Sequence, residues 1–148
     1  MTLENSIINS ILVKNFEGKE IDLMDVYAGK NLLIIIYNNQ CLGCTGRAIS
    51  LAYQFQKDYH KLQVIGIHTI FNSLQVTEND IKSIFTIDEL PFPILLDEGH
   101  KVFDQFHAAG TPQWLLIDEH GRLIRSIFGS QYGSRNLLMY ALDQMEVI

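Results

Sequence analysis

Cys41 and Cys44 are the residues of this chain whose type and spacing point most directly to chemistry. They are its only two cysteines, they are separated by two residues, and they follow the apolar run 32–37. Two cysteines at this spacing form a dithiol that can close into a disulfide and open again. A disulfide across so short a loop adds little stability, because the gain from constraining the unfolded chain grows with loop length. The pair therefore predicts redox chemistry rather than a structural cross-link.

The two thiols are expected to have different roles. A thiolate is the nucleophile in disulfide exchange, and a free cysteine with a pKa of about 8.5 supplies little of it at neutral pH. If a helix begins at Cys41, its free backbone N–H groups and the positive end of its dipole stabilise that thiolate, whereas Cys44 lies one turn inside. We therefore expect Cys41 to attack a target disulfide and Cys44 to resolve the mixed disulfide that results.

Hydrophobic periodicity predicts the elements that position this pair. The Ile-rich run 31–37 is typical of a strand covered on both faces, and apolar residues recur at helical spacing from Cys41 to about Asp58. Turn, cap and apolar signals predict the other elements: an early strand over 7–13, its hairpin partner at 21–23, strands at 62–67 and 93–96, helices at 77–85 and 97–106, a final antiparallel hairpin of 112–117 and 122–128, and a closing helix after Ser134. This order predicts a single α/β domain over residues 1–148, with a central mixed sheet, helices on both faces and an N-terminal β-hairpin.

Length, composition and charge indicate which kinds of partner this chain can have. At 148 residues and 47% hydrophobic, the chain can bury a core without metal or disulfide support. Its net charge of −6 and the absence of a Lys/Arg cluster argue against nucleic acid, and no apolar run is long enough to span a membrane. With Met1 taken as the natural start, we expect a cytoplasmic protein, and a reducing compartment again favours a transient disulfide.

The order of these features resembles the thioredoxin fold. A strand, a dithiol at a helix start and then Gly110-Thr111-Pro112 opening a hairpin form the shared pattern, and the stretches 30–34, 64–68, 93–97 and 111–121 carry the finer likeness. The chain is similar to the TlpA/ResA-like branch of thiol-disulfide oxidoreductases, which overlaps the AhpC/TSA peroxiredoxin superfamily. The resemblance implies a thioredoxin-like three-layer sandwich.

The resemblance also implies how a substrate is bound. It implies that Pro112 is cis and faces the dithiol, and that the Thr111 backbone pairs with a substrate segment. Gln40, which stands where the family has Trp, belongs to the same expected substrate site. The implied partners are protein or small-molecule disulfides and a thiol electron donor, with no cofactor.

Several family features are replaced in this chain. The spacer between the cysteines is Leu42-Gly43 rather than Gly-Pro, and the buried acid that thioredoxins carry before the first cysteine is Ile35. The acid that ResA-like proteins carry after the second cysteine is Arg47. The resolving thiol therefore has no obvious carboxylate as a proton partner.

Other interpretations of the pair stay open at this point. Zinc could take both thiolates, but the five histidines show no paired metal-ligand spacing. A peroxiredoxin-like peroxidase would use Cys44, although the arginine that polarises peroxide near the final hairpin is replaced by Thr111-Pro112. A non-catalytic module that binds a partner or senses redox state is the third possibility.

Overall fold

The chain alternates strands and helices along its length. A computed structural model describes residues 3–71, 76–85 and 90–145. Their elements are, in chain order, β1 (Leu12–Lys14), β2 (Glu20–Asp22), α1 (Leu23–Val26), β3 (Asn31–Tyr37), a π-helical turn (Cys44–Ala48), α2 (Ile49–Asp58), β4 (Leu62–His68), α3 (Glu78–Lys82), β5 (Ile94–Leu96), α4 (Lys101–Gln105), β6 (Gln113–Ile117), β7 (Leu123–Phe128) and α5 (Tyr132–Met145).

The strands of the described residues form one mixed sheet in the order β2-β1-β5-β4-β3-β6-β7. β3 runs parallel to β4 and antiparallel to β6, and β6 and β7 form the final antiparallel hairpin. β1 pairs antiparallel with β2, which confirms the N-terminal hairpin. β3 lies inside the sheet, as its apolar run predicts, and its residues 32–37 are at most 1% exposed.

Helices cover both faces of the sheet, so the expected three-layer sandwich is confirmed. Alternate side chains of β3 point to opposite faces, with Leu33, Ile35 and Tyr37 on one and Leu32, Ile34 and Ile36 on the other. The first set packs with buried residues of α2, α3 and α5, namely Ala52, Phe55, Ile81, Leu138 and Leu142. The second set packs with Leu23 of α1 and Val102 of α4.

Several element boundaries differ from those that the sequence predicts. The early strand is short, since β1 begins at Leu12 and Ile7 forms only an isolated bridge with Arg122. The helix expected over 77–85 is regular only from Glu78 to Lys82, and a capping box between Thr77 and Asp80 begins it. The segment predicted to include Leu23 as a strand turns there into α1, because Asp22 Oδ1 accepts the N–H of Met24 as an N-cap.

The closing helix starts earlier than predicted. α5 begins at Tyr132 rather than after Ser134, whose hydroxyl instead donates to the carbonyl of Phe128 at 2.8 Å. Ser134 therefore ties the first turn of the helix to the end of β7. Leu138 and Leu142 of this helix are buried, whereas Leu137 is 45% exposed. Within the described part of the chain, no helix combines the length and apolar character needed to cross a membrane.

Candidate active site

A fixed loop joins β3 to the dithiol. The Asn38 side chain donates to the carbonyl of Thr69 at 2.7 Å, and the backbone N–H of Asn39 donates to His68 Nε2 at 3.1 Å. Both acceptors lie at the carboxyl end of β4, which is parallel to β3. Cys41 is thus held at the sheet edge where the two parallel strands end.

The helix after the loop begins at the dithiol, as expected, but its first turns are not regular α-helix. The carbonyl of Cys41 accepts the N–H groups of Cys44 and Thr45, each at 3.1 Å. A π-helical turn then runs from Cys44 to Ala48 before α2 starts at Ile49. π turns are rare, and they occur often at functional sites.

The two thiols are free and occupy different environments. Cys41 is partly exposed, and its Sγ accepts the backbone N–H of Cys44 at 3.2 Å. Cys44 is 0% exposed. The helix start therefore presents the first sulfur to solvent and encloses the second.

Burial and hydrogen bonding shift the pKa values of the two thiols in opposite directions. For Cys41, burial opposes ionisation, but hydrogen bonds with Cys44, the Thr111 side chain and the N–H groups of Cys44 and Gly43 outweigh it and lower the pKa. For Cys44, burial, the hydrogen bond with Cys41 and the charge of the Cys41 thiolate raise the pKa to about 12. The anion of the pair therefore resides on Cys41.

The other residues assigned to the site from the resemblance lie beside Cys41. The Thr111–Pro112 peptide bond is cis, as the resemblance implies, and the Cys41 thiol donates to the carbonyl of Thr111 at 3.4 Å. Pro112 is buried. Gln40 is exposed next to Cys41, and its backbone N–H donates to Asn38 Oδ1 at 2.7 Å. The structure thus brings Cys41 to the Thr111 carbonyl, places Pro112 next to Gly43 of the dithiol, and leaves Gln40 exposed.

Residues 128–131, which we call the wall segment, form a side of the site that the sequence did not reveal. The N–H of Gly129 donates to the carbonyl of Pro112 at 2.8 Å, and Trp114 Nε1 donates to the carbonyl of Gly129 at 2.8 Å. A Cβ atom built on Gly43 would lie only 2.8 Å from Ser130 Oγ and 3.9 Å from Pro112 Cδ. The Gly43 position therefore lets the wall segment approach the dithiol closely. Gly129, with φ of 107°, is the sequence signal that could have marked a sharp turn here.

Arg47 and Ile35, which replace the acids of related proteins, have unlike surroundings. Ile35 is 0% exposed in the core. Arg47 is exposed, and its Nη1 donates to Gln131 Oε1 of the wall segment at 2.8 Å. Neither position supplies a proton acceptor to Cys44.

A buried carboxylate does exist among the described residues, but it serves the helix α4. Asp97 is 4% exposed and accepts the N–H groups of Val102 at 2.9 Å and Phe103 at 3.3 Å. It also accepts the hydroxyl of Thr69 at 3.0 Å. Burial raises the pKa of Asp97 and these hydrogen bonds oppose the rise. Its hydrogen bonds thus go to α4 and Thr69, and none among the described residues links it to Cys41 or Cys44.

Metal binding gains no support from the arrangement. Among residues 3–71, 76–85 and 90–145, no group of three or more His, Cys, Asp or Glu side chains could hold an ion. The two thiolates would therefore lack the further ligands of a tetrahedral zinc site in this part of the chain.

The family of the chain follows from comparison with known proteins. The model of the AhpC/TSA family matches residues 6–126. The chain belongs to the AhpC/TSA family. Similar proteins include the thiol-disulfide oxidoreductase ResA of Bacillus cereus strain ZK / E33L, with 27% identity over 122 residues, covering 82% of this chain and 68% of the relative.

Solved structures show the same fold. The thiol-disulfide isomerase of Corynebacterium glutamicum matches this AhpC/TSA-family chain with a TM-score of 0.77 and 20% identity, covering 97% of each chain. StoA of Bacillus subtilis matches with a TM-score of 0.63 and 19% identity, covering 88% of this chain and 94% of its own. The protein is therefore a TlpA/ResA-like member with a thioredoxin fold, and its enzyme class is thiol-disulfide oxidoreductase.

Proposed function

We propose that this protein exchanges disulfides through the Cys41-Leu42-Gly43-Cys44 dithiol, with Cys41 as the attacking thiol and Cys44 as the resolving thiol. The observation that carries the proposal is the asymmetry of the pair. Cys41 is partly exposed, accepts the N–H of Cys44 at 3.2 Å and has a lowered pKa, while Cys44 is enclosed and has a raised one. A thiolate that is both accessible and stabilised is the species that attacks a disulfide sulfur.

The first step forms a mixed disulfide. The Cys41 thiolate attacks one sulfur of the substrate, an S–S bond forms to Cys41, and the substrate S–S bond breaks. The other substrate sulfur leaves as a thiolate that takes a proton from water. Thr111, whose carbonyl lies 3.4 Å from Cys41 Sγ, and Pro112 flank the approach to this sulfur, and exposed Gln40 lies at its rim.

The second step releases the product and leaves the protein oxidised. Cys44 loses its proton to solvent and attacks Cys41 Sγ, and the substrate sulfur departs as the second thiol. Once Cys41 is bonded to substrate it no longer carries the charge that helps to raise the pKa of Cys44, and the backbone N–H of Asn38 stabilises the Cys44 thiolate. Loss of the Cys41 charge thus lowers the pKa of Cys44 and helps it to ionise without the carboxylate that related proteins carry. A thiol donor then reduces the Cys41–Cys44 disulfide.

The peroxidase alternative places its reactive thiolate on Cys44. The sulfur of that residue is 0% exposed, and its pKa is raised to about 12 by burial and by Cys41. A peroxide would therefore meet a closed and protonated thiol. Disulfide exchange through Cys41 is the better supported of the two functions.

Insulin reduction with dithiothreitol as electron donor tests the proposal. We expect precipitation of insulin chains by the wild type, and none above background with Cys41→Ser. Cys44→Ser should accumulate mixed disulfides with substrate proteins, because only the resolving step is lost. Equal inactivity of the wild type and Cys41→Ser would instead favour the non-catalytic module, and trapping by Cys41→Ser alone would assign the attack to Cys44.

The cytoplasmic location stays a prediction from the sequence, with Met1 taken as the natural start. The proposed reaction implies the chemical class of its partners: the substrates are protein or small-molecule disulfides, and the electron donor is a thiol. Fractionation of cells that express the tagged native gene product checks the location.

A further inference from the structure

Arg47 places a positive charge at the rim of the dithiol. It follows Cys44 by three residues, is exposed, and forms no ion pair within the described residues. Its Nη1 is spent on Gln131 Oε1 at 2.8 Å. The remaining N–H groups of the guanidinium are free to meet a ligand, since arginine offers five donors.

Two parts of the chain fix the position of the guanidinium, namely its own backbone in the π turn and its hydrogen-bond partner in the wall segment. Its backbone belongs to the π turn that starts at Cys44, and its hydrogen-bond partner Gln131 belongs to the wall segment. The neighbouring Ser130 hydroxyl lies against Gly43, between the two cysteines. A charged donor and a hydroxyl therefore line one flank of the dithiol.

Asp80 is an acidic residue near the dithiol loop, and its carboxylate is directed at α3. Asp80 comes close to the dithiol loop through its backbone carbonyl, which accepts the Asn39 amide at 2.7 Å. Its carboxylate accepts the N–H of Thr77 at 2.9 Å and caps α3. The protein has a net charge of −6, and Arg47 places a positive charge on the side of the dithiol that the wall segment forms.

We propose that Arg47, positioned by Gln131, selects disulfide substrates that carry a carboxylate close to the S–S bond. This inference rests on the proposed function and names its substrate class. Arginine binds carboxylates through paired N–H donors, and a charge at the rim of a site changes the rate of association with charged partners. A basic group at the same place in a substrate would be repelled by Arg47.

Single-turnover kinetics with three probe disulfides test the proposal. The reduced full-length protein is mixed with dithiobis(nitrobenzoate), which is anionic, with dithiodipyridine, which is neutral, and with cystamine, which is cationic. Each reaction oxidises the dithiol and releases two thiols of the probe, so no electron donor is needed. The quantity compared is the rate with each charged probe divided by the rate with the neutral probe.

Substitutions of Arg47 should change this ratio rather than the overall rate. We expect Arg47→Gln to lower the ratio of the anionic-probe rate to the neutral-probe rate by roughly three- to tenfold, and to raise the ratio of the cationic-probe rate to the neutral-probe rate. Arg47→Glu should change both ratios in the same directions by larger factors. Arg47→Lys should keep most of the preference, and Gln131→Ala should lower it by a smaller factor. Salt at about 0.5 M should reduce the preference of the wild type, because screening then acts over roughly 4 Å.

Lys61→Gln is the matched control. Lys61 is exposed and precedes β4 at the end of the sheet away from the dithiol, so its removal changes the net charge equally without touching the site. An equal change of all three rates in Arg47→Gln would overturn recognition, because it would mean that Arg47 acts only on the thiolate. The same ratios in Arg47→Gln and Lys61→Gln would overturn it too. Failure of the proposed function has a different signature, namely a wild type that is no faster than Cys41→Ser with the neutral probe.

Discussion

The free energy of unfolding of the wild-type protein should fall on acidification because of His68, and replacing His68 with Gln should abolish that part of the decrease. His68 ends β4, is 3% exposed, and accepts the backbone N–H of Asn39 with Nε2 at 3.1 Å. Since Nε2 is the acceptor, the neutral ring carries its proton on Nδ1. Protonation of Nε2 would break the bond that fixes the loop before Cys41.

The magnitude follows from the pKa of this ring. Burial lowers the pKa of His68 from 6.5 to about 4. Because the folded pKa is depressed, the unfolded chain takes up the proton first, and the free energy of unfolding decreases as the pH falls from 6.5 towards 4. The shift of about 2.5 pH units corresponds to roughly 3 kcal/mol by the acid end of this window. Asp97, whose pKa is raised by burial, acts in the opposite direction but is present in both proteins.

Urea unfolding of the wild type and His68→Gln across this pH window measures the effect. Gln keeps an acceptor for the Asn39 N–H and has no proton to gain, while any loss of packing is the same at every pH. The wild type should have the larger free energy of unfolding near neutral pH. On acidification the difference between the two proteins should change by about 3 kcal/mol in favour of His68→Gln. A gap that stays constant over the window would refute this account of His68.

Two further substitutions test the packing that holds the site. Gly66→Ala should lower the free energy of unfolding by about 1–3 kcal/mol, because the new Cβ would lie 3.1 Å from Phe92 Cε1 and 3.2 Å from Ile94 Cγ1; an unchanged thermal midpoint would contradict this. Trp114→Phe should cost about 1–3 kcal/mol in urea unfolding and slow the reaction with dithiodipyridine, because the Gly129 carbonyl loses its donor at 2.8 Å. Normal kinetics in this variant would show that the wall segment does not depend on that bond.

Much of the fold could be predicted because it depends on local patterns. The apolar run 31–37 and the alternation of strands and helices are visible in sequence order, and short connections leave few topologies. The ends of helices were less predictable where they depend on a hydrogen bond between a side chain and a different element of the chain. α5 starts at Tyr132 while Ser134 bonds back to β7, and α4 starts at Lys101 beneath the capping Asp97.

The candidate site was predictable only in the parts that are close in sequence. Cys41 and Cys44 carry their own signal, and the resemblance supplied Thr111 and Pro112 across the fold. The contacts between the wall segment and the helix of the dithiol join residues more than 80 positions apart, such as Arg47 and Gln131. Such contacts depend on how β7 and α5 pack against the helix of the dithiol, and no local pattern encodes that packing.

The rate of alkylation of each cysteine against pH tests the central claim most directly. The reduced wild-type protein is pulsed with iodoacetamide, and the modified position is identified by fragmentation mass spectrometry. We expect Cys41 to react first, with a midpoint below that of an ordinary thiol, because its pKa is lowered by hydrogen bonds with Cys44, Thr111 and the helix start. Cys44 should stay unmodified across this range, since its pKa is raised to about 12 and its side chain is enclosed. Faster modification of Cys44, or equal rates with the same midpoint at both positions, would contradict the account.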